Sequence, residues 1–202
     1  IGAFSSISNT VLGPAILEYQ EKNPDIGIQL TIATKELQNW LLNGEIDMVI
    51  GDVDIIKGFR WHSLIKDPYY AVFPTENLPE GMTEITVDEL LQYPIIMPTL
   101  NDLNKYFSQA GHILDIACDD DTTVLNFVSM GLGVTALPNL SLWQLPKGVS
   151  ILPITPEVTR TIGYALPSTP RKEALDFAKF IQENVRDHGP MLKRVNLTAV
   201  AE

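Results

Sequence analysis

The sequence predicts an α/β fold of two Rossmann-like lobes. Three segments indicate it: a strand, Ser-rich turn and helix at 1–14, a helix end and buried strand at 43–52, and a helix end, two-glycine turn and strand at 125–138. Strands and helices that alternate with short links are typical of parallel sheets covered by helices. We therefore expect a parallel sheet in each lobe.

The first lobe is predicted to run strand, helix, strand, helix, strand. Its strands are expected at 1–4, 28–32 and 46–50, where apolar residues alternate or cluster. The first helix carries an apolar stripe and ends at Asn23-Pro24; the stripe is Leu12, Ala15, Ile16 and Tyr19. The second helix runs from Lys35 to Gly44, a typical C-terminal residue, with a stripe of Leu37, Trp40 and Leu41.

The second lobe is predicted to repeat this layout from Tyr69 onward. Its strands are expected at 69–73, 95–97, 113–118 and 134–137, and helices at 103–110 and 122–130. Thr86 and Glu89 form a capping box for another helix, which ends before Pro94. The acidic run 119–121 precedes the 122–130 helix, where negative charge is favourable.

The end of the chain is predicted to return to the first lobe. Strands at 149–154 and 161–166 lead to a last helix with Thr169 as cap, Pro170 in its first turn, and a stripe of Leu175, Ala178, Ile181 and Val185. Lobe I then comprises 1–69 and 157–202, and lobe II comprises 70–156. Two crossover segments, at 67–70 and 155–158, join the lobes as a hinge that lets a cleft close on a ligand.

Composition indicates a folded protein that does not itself hold nucleic acid. Its 202 residues are 45% hydrophobic, which is enough for two lobes with cores. Lys and Arg number 14 against 25 Asp and Glu, and the net charge of −11 repels a phosphate backbone. We expect neither a membrane span nor an intact signal peptide, because no apolar run approaches about 20 residues and Ile1 begins on a strand. The single Cys118 excludes an internal disulfide and fits a reducing cytoplasm.

Catalytic and metal-binding patterns find little support in the sequence. The three histidines, at 62, 112 and 188, lie far apart, and Cys118 falls in a predicted apolar strand, where a thiol is typically a small hydrophobe. Gly131-Leu132-Gly133 follows a helix, whereas a dinucleotide-binding turn precedes one, so we expect a helix stop and tight turn. The 119–121 run lacks the spacing of a calcium loop. We predict no catalytic residue, no metal and no cofactor.

Polar residues follow the predicted strands at the carboxyl ends, where open α/β sheets bind ligands. These candidate effector-binding residues are Ser5, Ser6, Ser8, Thr34, Gly51, Asp52, Thr99, Leu100, Asn101, Asp121 and Thr122. Their hydroxyls, amides and backbone N–H groups suit hydrogen bonding to a small polar metabolite. The same residue types are ordinary helix caps, and one residue can serve both purposes.

Three elements, in this order, resemble the effector-binding domain of LysR-type transcriptional regulators. The family pattern of strand, polar turn, Leu-Pro and helix matches 1–14, with Gly13 inserted between Leu12 and Pro14. A Gly-Glu-Leu-Asp-like element matches 44–47, and a Val-x-x-Gly-x-Gly-like element matches 128–133, followed by Leu137-Pro138. The resemblance covers essentially the whole chain.

The resemblance implies a periplasmic-binding-protein type II-like fold with a small effector bound between two lobes. The family's usual contact positions fall on Ser6, Thr34, Thr99, Asn101 and Thr122, although the link from Ile32 to Leu37 looks shorter than is common. It also implies antiparallel homodimers that build tetramers, with 35–44 partly at an interface. DNA binding would belong to an N-terminal winged helix-turn-helix, which this sequence lacks.

The expected function is a cytoplasmic sensor in which an effector changes the arrangement of lobes and subunits, and so DNA binding and transcription. Asp52 and Asp121 hint at an amine-bearing effector. One alternative is a periplasmic solute-binding protein of an ABC transporter, which a secretion or lipoprotein leader would favour. Another is an enzyme on the same scaffold, such as a dehydratase or deaminase, which turnover dependent on these two aspartates would favour.

Overall fold

The computed structural model describes residues 1–54, 56–97, 103, 111–114, 118 and 120–188, with side chains as far as residue 185. The described residues form two compact units, unit 1 with 1–66 and 161–188 and unit 2 with 67–160. The chain passes between them at Lys66–Asp67 and at Arg160–Thr161. The predicted lobe limits, 1–69 with 157–202 and 70–156, differ from this division by a few residues and stay a prediction.

Strands and helices alternate along much of the described chain. The strands are β1 (Gly2–Ala3), β2 (Thr31–Ile32), β3 (Val49–Asp52), β4 (Trp61–Pro74), β5 (Ile95–Ile96), β6 (Ile113–Leu114), β7 (Thr135–Pro138), β8 (Val149–Pro153) and β9 (Thr159–Ala165). The helices are α1 (Ser5–Ile7), α2 (Gly13–Lys22), α3 (Leu37–Asn43), α4 (Val87–Leu90), α5 (Asp121–Ser129) and α6 (Lys172–His188). None of these helices is long and apolar enough to cross a bilayer. The predicted 103–110 helix and positions 115–117 of a predicted strand lie outside the described residues.

Unit 1 is built on three parallel strands. β1 lies between β2 and β3, with Gly2 opposite Thr31 on one side and Val49 on the other. This parallel core agrees with the prediction, but β3 begins later than expected. The Trp40 carbonyl accepts the N–H groups of Glu45 and Ile46, which keeps this stretch folded against the end of α3.

The segment after β1 is helical, where the sequence predicted a polar turn. α1 begins at Ser5 and continues through a π-helical turn, Ser8–Leu12, into α2. Two hydroxyls support this widened turn by donating to carbonyls four residues back: Ser8 Oγ to the Phe4 oxygen and Thr10 Oγ1 to the Ser6 oxygen, both at 2.7 Å. Sequence reasoning missed it because Ser and Asn are common in turns as well as in first helical turns.

The unit 1 sheet continues into an antiparallel strand, which contradicts the expectation of a wholly parallel sheet. β9 pairs with β3 so that Val49 lies opposite Ala165 and Asp52 lies opposite Ile162. Apolar alternation has the same period in either strand direction, so the sequence pattern could not reveal it.

The last helix, α6, closes unit 1. Tyr19 of α2 contacts Phe177 edge-on and lies against Phe180, with ring centroids 5.1 Å apart in each pair. Ala178, Ile181 and Val185 are buried as predicted, but Leu175 is 39% exposed and Phe177 takes the buried place instead. Thr169 and Pro170 precede the helix and do not cap it, because α6 begins at Lys172.

Unit 2 contains more antiparallel pairing than the predicted repeat of unit 1. β4 pairs antiparallel with both β7 and β8, with Ala71 opposite Ala136 and Leu152. β5 and β6 are parallel, and Ile95 forms a parallel bridge to Val134. The two apolar faces of this unit pack as separate clusters, one around Phe73 and one around Val72.

Both predicted helix starts in unit 2 have their capping groups, although α5 begins one residue early. At α4 the Thr86 hydroxyl accepts from the Glu89 N–H at 3.2 Å while Glu89 Oε2 accepts from the Thr86 N–H at 2.8 Å, which confirms the capping box. The Thr86 N–H and the Thr86 hydroxyl both donate to Glu89 Oε2, and these two bonds lower the pKa of Glu89. At α5 the cap is Asp120, whose Oδ2 accepts the Thr123 N–H at 2.7 Å.

Candidate functional site

Unit 1 brings its predicted site residues to one edge of a sheet. The carboxyl ends of β1, β2 and β3 lie side by side in register, and the Ala33 N–H donates to the Ala3 carbonyl just beyond the paired residues. This edge therefore carries the serines after β1, Thr34 after β2 and the last two residues of β3.

The three serines at this edge differ in exposure. Ser5 is exposed, whereas Ser6 and Ser8 are each 5% exposed. The Ser8 hydroxyl is directed to the Phe4 carbonyl, which assigns it a structural bond inside the helix. Ser5 and Ser6 occupy the first turn of α1, where backbone N–H groups lack intrahelical partners.

Gly51 and Asp52 lie inside β3, where the sequence predicted a loop after the strand. A Cβ at Gly51 would lie 3.2 Å from the Phe4 ring, so a larger residue would push that ring. Asp52 is fully buried, and its Oδ1 accepts the Asp54 N–H at 2.8 Å. Thr34 lies in the bend before α3 and is half-buried.

Unit 2 places two further predicted residues at the start of α5. Asp121 is the first residue of the helix and Thr122, which is exposed, is the second. The other predicted residues of this unit, Thr99, Leu100 and Asn101, lie outside the described residues.

A buried ion pair lies beside Asp121 and was not found from the sequence. Arg160 of β9 contacts Asp67 Oδ2 of β4 through Nε at 2.9 Å and through Nη2 at 2.8 Å. Asp67 Oδ1 accepts the Leu140 N–H at 3.0 Å. Asp67 is fully buried and Arg160 is 9% exposed, so the pair lies in a medium where charges interact strongly.

Burial dominates the protonation of the carboxyls in this cluster. It raises the pKa of Asp67, against the opposing effect of Arg160 and the Leu140 N–H. It also raises the pKa of Asp121, against the opposing effects of Ser141 and Arg160. Burial is the largest single influence on Arg160 and disfavours its charged form, but Asp67, Tyr69 and Asp121 together outweigh burial and the pKa of Arg160 is raised.

Two polar groups of the adjoining turn complete the cluster. Asn139 and Ser141 belong to the 3₁₀ turn that follows β7 and are 5% and 3% exposed. Asn139 Oδ1 and Ser141 Oγ are buried atoms with no hydrogen-bond partner among the described residues. The Ser141 hydroxyl lies near enough to Asp121 to favour its charged form, but it makes no hydrogen bond of good geometry.

Sequence reasoning missed Asp67, Arg160, Asn139 and Ser141 because none of them belongs to a motif. Each lies within or directly after a strand with an apolar pattern, and a charged residue in such a strand is a weak signal of a buried pair. Arg160 and Asp67 are 93 positions apart, so only the fold brings them together.

Other chemistry-bearing groups stay apart. No group of three or more His, Cys, Asp or Glu side chains that could hold a metal occurs within the described part of the chain. His62 stacks on Tyr164 with centroids 4.8 Å apart. Cys118 is half-buried and donates to the Asp120 carbonyl at 3.4 Å; it lies outside β6, so the prediction of a strand at this position is wrong.

The LysR substrate binding domain model matches residues 1–186 of this sequence. The chain belongs to the LysR substrate binding domain family. This agrees with the resemblance found in the sequence and with its two-lobed α/β fold of the periplasmic-binding-protein type II-like class.

The LysR-type chain is similar to regulators and to regulatory domains of known structure. It is 22% identical over 173 residues to the "Probable HTH-type transcriptional regulator LrrA" of Synechococcus elongatus, covering 82% of this chain and 58% of that protein. The effector binding domain of a BenM variant has a TM-score of 0.79 at 16% identity, covering 93% and 94% of the two chains. The CcmR regulatory domain of Synechocystis, in complex with 2-PG, has a TM-score of 0.80 at 13% identity, covering 92% and 96%. The chain thus spans less than two thirds of LrrA.

Proposed function

We propose that this chain is the part of a cytoplasmic LysR-type transcriptional regulator that binds a small-molecule effector. The observation that carries the proposal is the family match over residues 1–186. The relatives are named as transcriptional regulators, and one structural neighbour is a regulatory domain in complex with a small molecule. This favours a regulator over a solute-binding protein of a transporter, and we propose no catalytic role for the chain.

The effector site we propose uses the residues predicted from the sequence. In unit 1 it takes Ser5, Ser6, Thr34 and the Gly51-Asp52 end of β3, which share one edge of a sheet. In unit 2 it takes Asp121 and Thr122 at the start of α5. Thr99, Leu100 and Asn101 complete the proposed set. First-turn N–H groups and side-chain hydroxyls at these places supply donors, and carboxyls supply acceptors.

The regulatory step we propose is a change in subunit arrangement. Effector binding favours one arrangement of lobes and subunits over another, which is the condition for any signal to pass. The whole protein would act as a homodimer or tetramer and contact DNA through a winged helix-turn-helix domain. The name of LrrA as an HTH-type transcriptional regulator supports the DNA-binding part of this proposal.

A thermal-shift screen of the purified 202-residue chain tests effector binding. A ligand at 100 times its Kd adds about 2.7 kcal/mol to the free energy of unfolding. We expect one chemical class among amino acids, aromatic acids and central metabolites to raise Tm. Ser6→Ala and Thr99→Ala should reduce that shift, while Ser168→Ala and Thr83→Ala, at exposed positions outside the proposed site, should leave it unchanged.

The result that contradicts this proposal is a folded sample whose Tm responds to no class of metabolite. A shift that all four variants retain would also contradict it, because the ligand would then bind elsewhere. Turnover of a bound compound that stops in Asp52→Asn or Asp121→Asn would instead support an enzyme on this scaffold.

A further inference from the structure

The cluster at the start of α5 in unit 2 has more negative than positive groups. Two carboxyls, Asp67 and Asp121, accompany one guanidinium, Arg160. Both short contacts described for Arg160 go to Asp67, and Asp121 forms no salt bridge among the described residues. The two carboxyls therefore share the charge of Arg160, which lowers the pKa of each against the larger, opposite effect of burial.

The turn that carries Ser141 has two buried oxygens without a hydrogen-bond partner among the described residues. Ser141 Oγ faces Asp121 without a hydrogen bond of good geometry, and Asn139 Oδ1, two residues earlier in the same turn, is also without a partner among the described residues. Both side chains are at least nine-tenths buried. Buried polar atoms in native proteins are nearly always hydrogen-bonded, and leaving one unsatisfied is costly. A bound group explains these oxygens better than packing does.

The chemistry of the cluster favours a ligand group that is positively charged and donates hydrogen bonds. An ammonium group has three N–H donors and no acceptor, which matches a carboxylate and a hydroxyl oxygen. An anionic group would face both carboxyls, and the positive end of α5 is already occupied by Asp120 and Asp121.

We propose that the effector carries a protonated amine, which donates hydrogen bonds to the Asp121 carboxylate and to Ser141 Oγ. The proposal rests on the effector-binding function proposed above and narrows its ligand class. The Asp67–Arg160 pair fixes the turn that presents Ser141, because Asp67 holds the Leu140 N–H of the same turn.

Matched ligand pairs test this inference by calorimetry on the 202-residue chain. In each pair a hydroxyl replaces every amine of the first compound: L-alanine and L-lactate, L-serine and glycerate, putrescine and butane-1,4-diol, extended across amino acids and diamines. We expect binding only among the amine members. Asp121→Asn should weaken it by at least about tenfold, since a hydrogen bond to a charged group contributes 1.5 kcal/mol or more and 1.4 kcal/mol is tenfold. Asp88→Asn, an exposed position in the same unit, should bind as the wild type does.

Ser141→Ala separates binding from folding. This change removes a buried oxygen without a partner, so the ligand-free chain should be as stable as the wild type or more stable. Its affinity for the amine should nevertheless fall about fivefold, which corresponds to one ordinary hydrogen bond. Weaker binding with unchanged Tm would assign Ser141 to the ligand.

The outcomes distinguish failure of this inference from failure of the proposed function. Binding of a compound without an amine, lost in Ser6→Ala or Thr99→Ala, would overturn the amine and keep the effector site. Binding of Mg²⁺ or Ca²⁺ alone that Asp121→Asn abolishes would overturn it in favour of a cation site. A folded chain that binds no compound of any class would overturn both.

Discussion

At the scale of single residues, Asp67 and Arg160 form a buried ion pair in unit 2. A buried pair is costly to break because the remaining charge stays desolvated. We predict that Arg160→Met lowers the free energy of unfolding by about 3–5 kcal/mol, measured by urea denaturation. Arg171→Met is the matched control, because Arg171 pairs with Asp47 at 3.2 Å but is 75% exposed; exposed pairs contribute at most about 1 kcal/mol. Equal losses in both variants would contradict the assignment.

Because of Asp121, we expect the free energy of unfolding to depend on pH. Its pKa is raised in the folded chain, chiefly by burial and also by Asp120, against Arg160 and Ser141; Asp67 is the other carboxyl that faces it. A carboxyl whose pKa is higher in the folded chain than in the unfolded chain contributes its full stability at pH values below its unfolded-state pKa. That contribution is lost as the pH rises through its folded-state pKa.

We therefore predict that Asp121→Asn is more stable than the wild type at pH 7 and loses this advantage as pH falls toward 4. Thermal unfolding of both proteins across pH 4 to 8 measures the difference. The exposed Asp88→Asn variant is the control. A difference that grows on acidification would show that the carboxylate form of Asp121 stabilises the fold.

Residue types alone predicted the caps better than the site. The sequence predicted the caps formed by Thr86 with Glu89 and by the acidic start of α5, because helix caps depend on neighbours within four positions. The cluster of Asp67, Arg160 and Ser141 depends on three elements distant in sequence. Nothing local distinguishes these residues from ordinary polar residues at strand ends.

At the scale of elements, the two glycines in the turn between α5 and β7 are required for different reasons. Gly131 has φ of 80°, the left-handed conformation of a helix stop, as predicted. Gly133 is different: a Cβ there would lie 2.6 Å from the Pro94 carbonyl oxygen. The prediction of a helix stop and tight turn accounts for Gly131 but not for Gly133. The close approach of another backbone segment to Gly133 cannot be recognised from sequence spacing.

We predict that Gly133→Ala destabilises the chain more than Gly131→Ala does. The left-handed alanine costs roughly 1–2 kcal/mol, whereas the alanine at 133 must displace backbone. Urea denaturation of the two variants gives the comparison. Gly111→Ala is a control, since a Cβ there would meet no atom within 4 Å. A smaller loss at 133 than at 131 would show that β5 can move away without cost.

Helix order and strand positions were largely predictable, but strand direction was predicted correctly only among β1, β2 and β3 and between β5 and β6. The period of the apolar pattern identified β1, β7 and β8 closely, since burial on a pleated sheet fixes it. β9 against β3, and β4 against β7 and β8, are antiparallel, and direction depends on the route of the chain between elements.

At the scale of the whole molecule, the net charge and the names of the relatives both bear on DNA binding. The net charge of −11 opposes nucleic-acid binding, while the relatives are named as HTH-type regulators. We predict that the 202-residue chain alone retains no duplex DNA in a filter-binding assay at 150 mM salt. A variant with added surface lysines provides a positive control for retention. Sequence-specific retention by the unchanged chain would contradict the assignment of DNA binding to a separate domain.

The π-helical turn at Ser8–Leu12 lies directly before Gly13, the residue that separates Leu12 from Pro14. An added residue rotates everything downstream by about 100° in an ordinary α-helix. A single wide turn can absorb one added residue, and Ala15 and Tyr19 of α2 are buried. We therefore expect a chain lacking Gly13 to keep α2 on the same face by tightening this turn to an α-helical one.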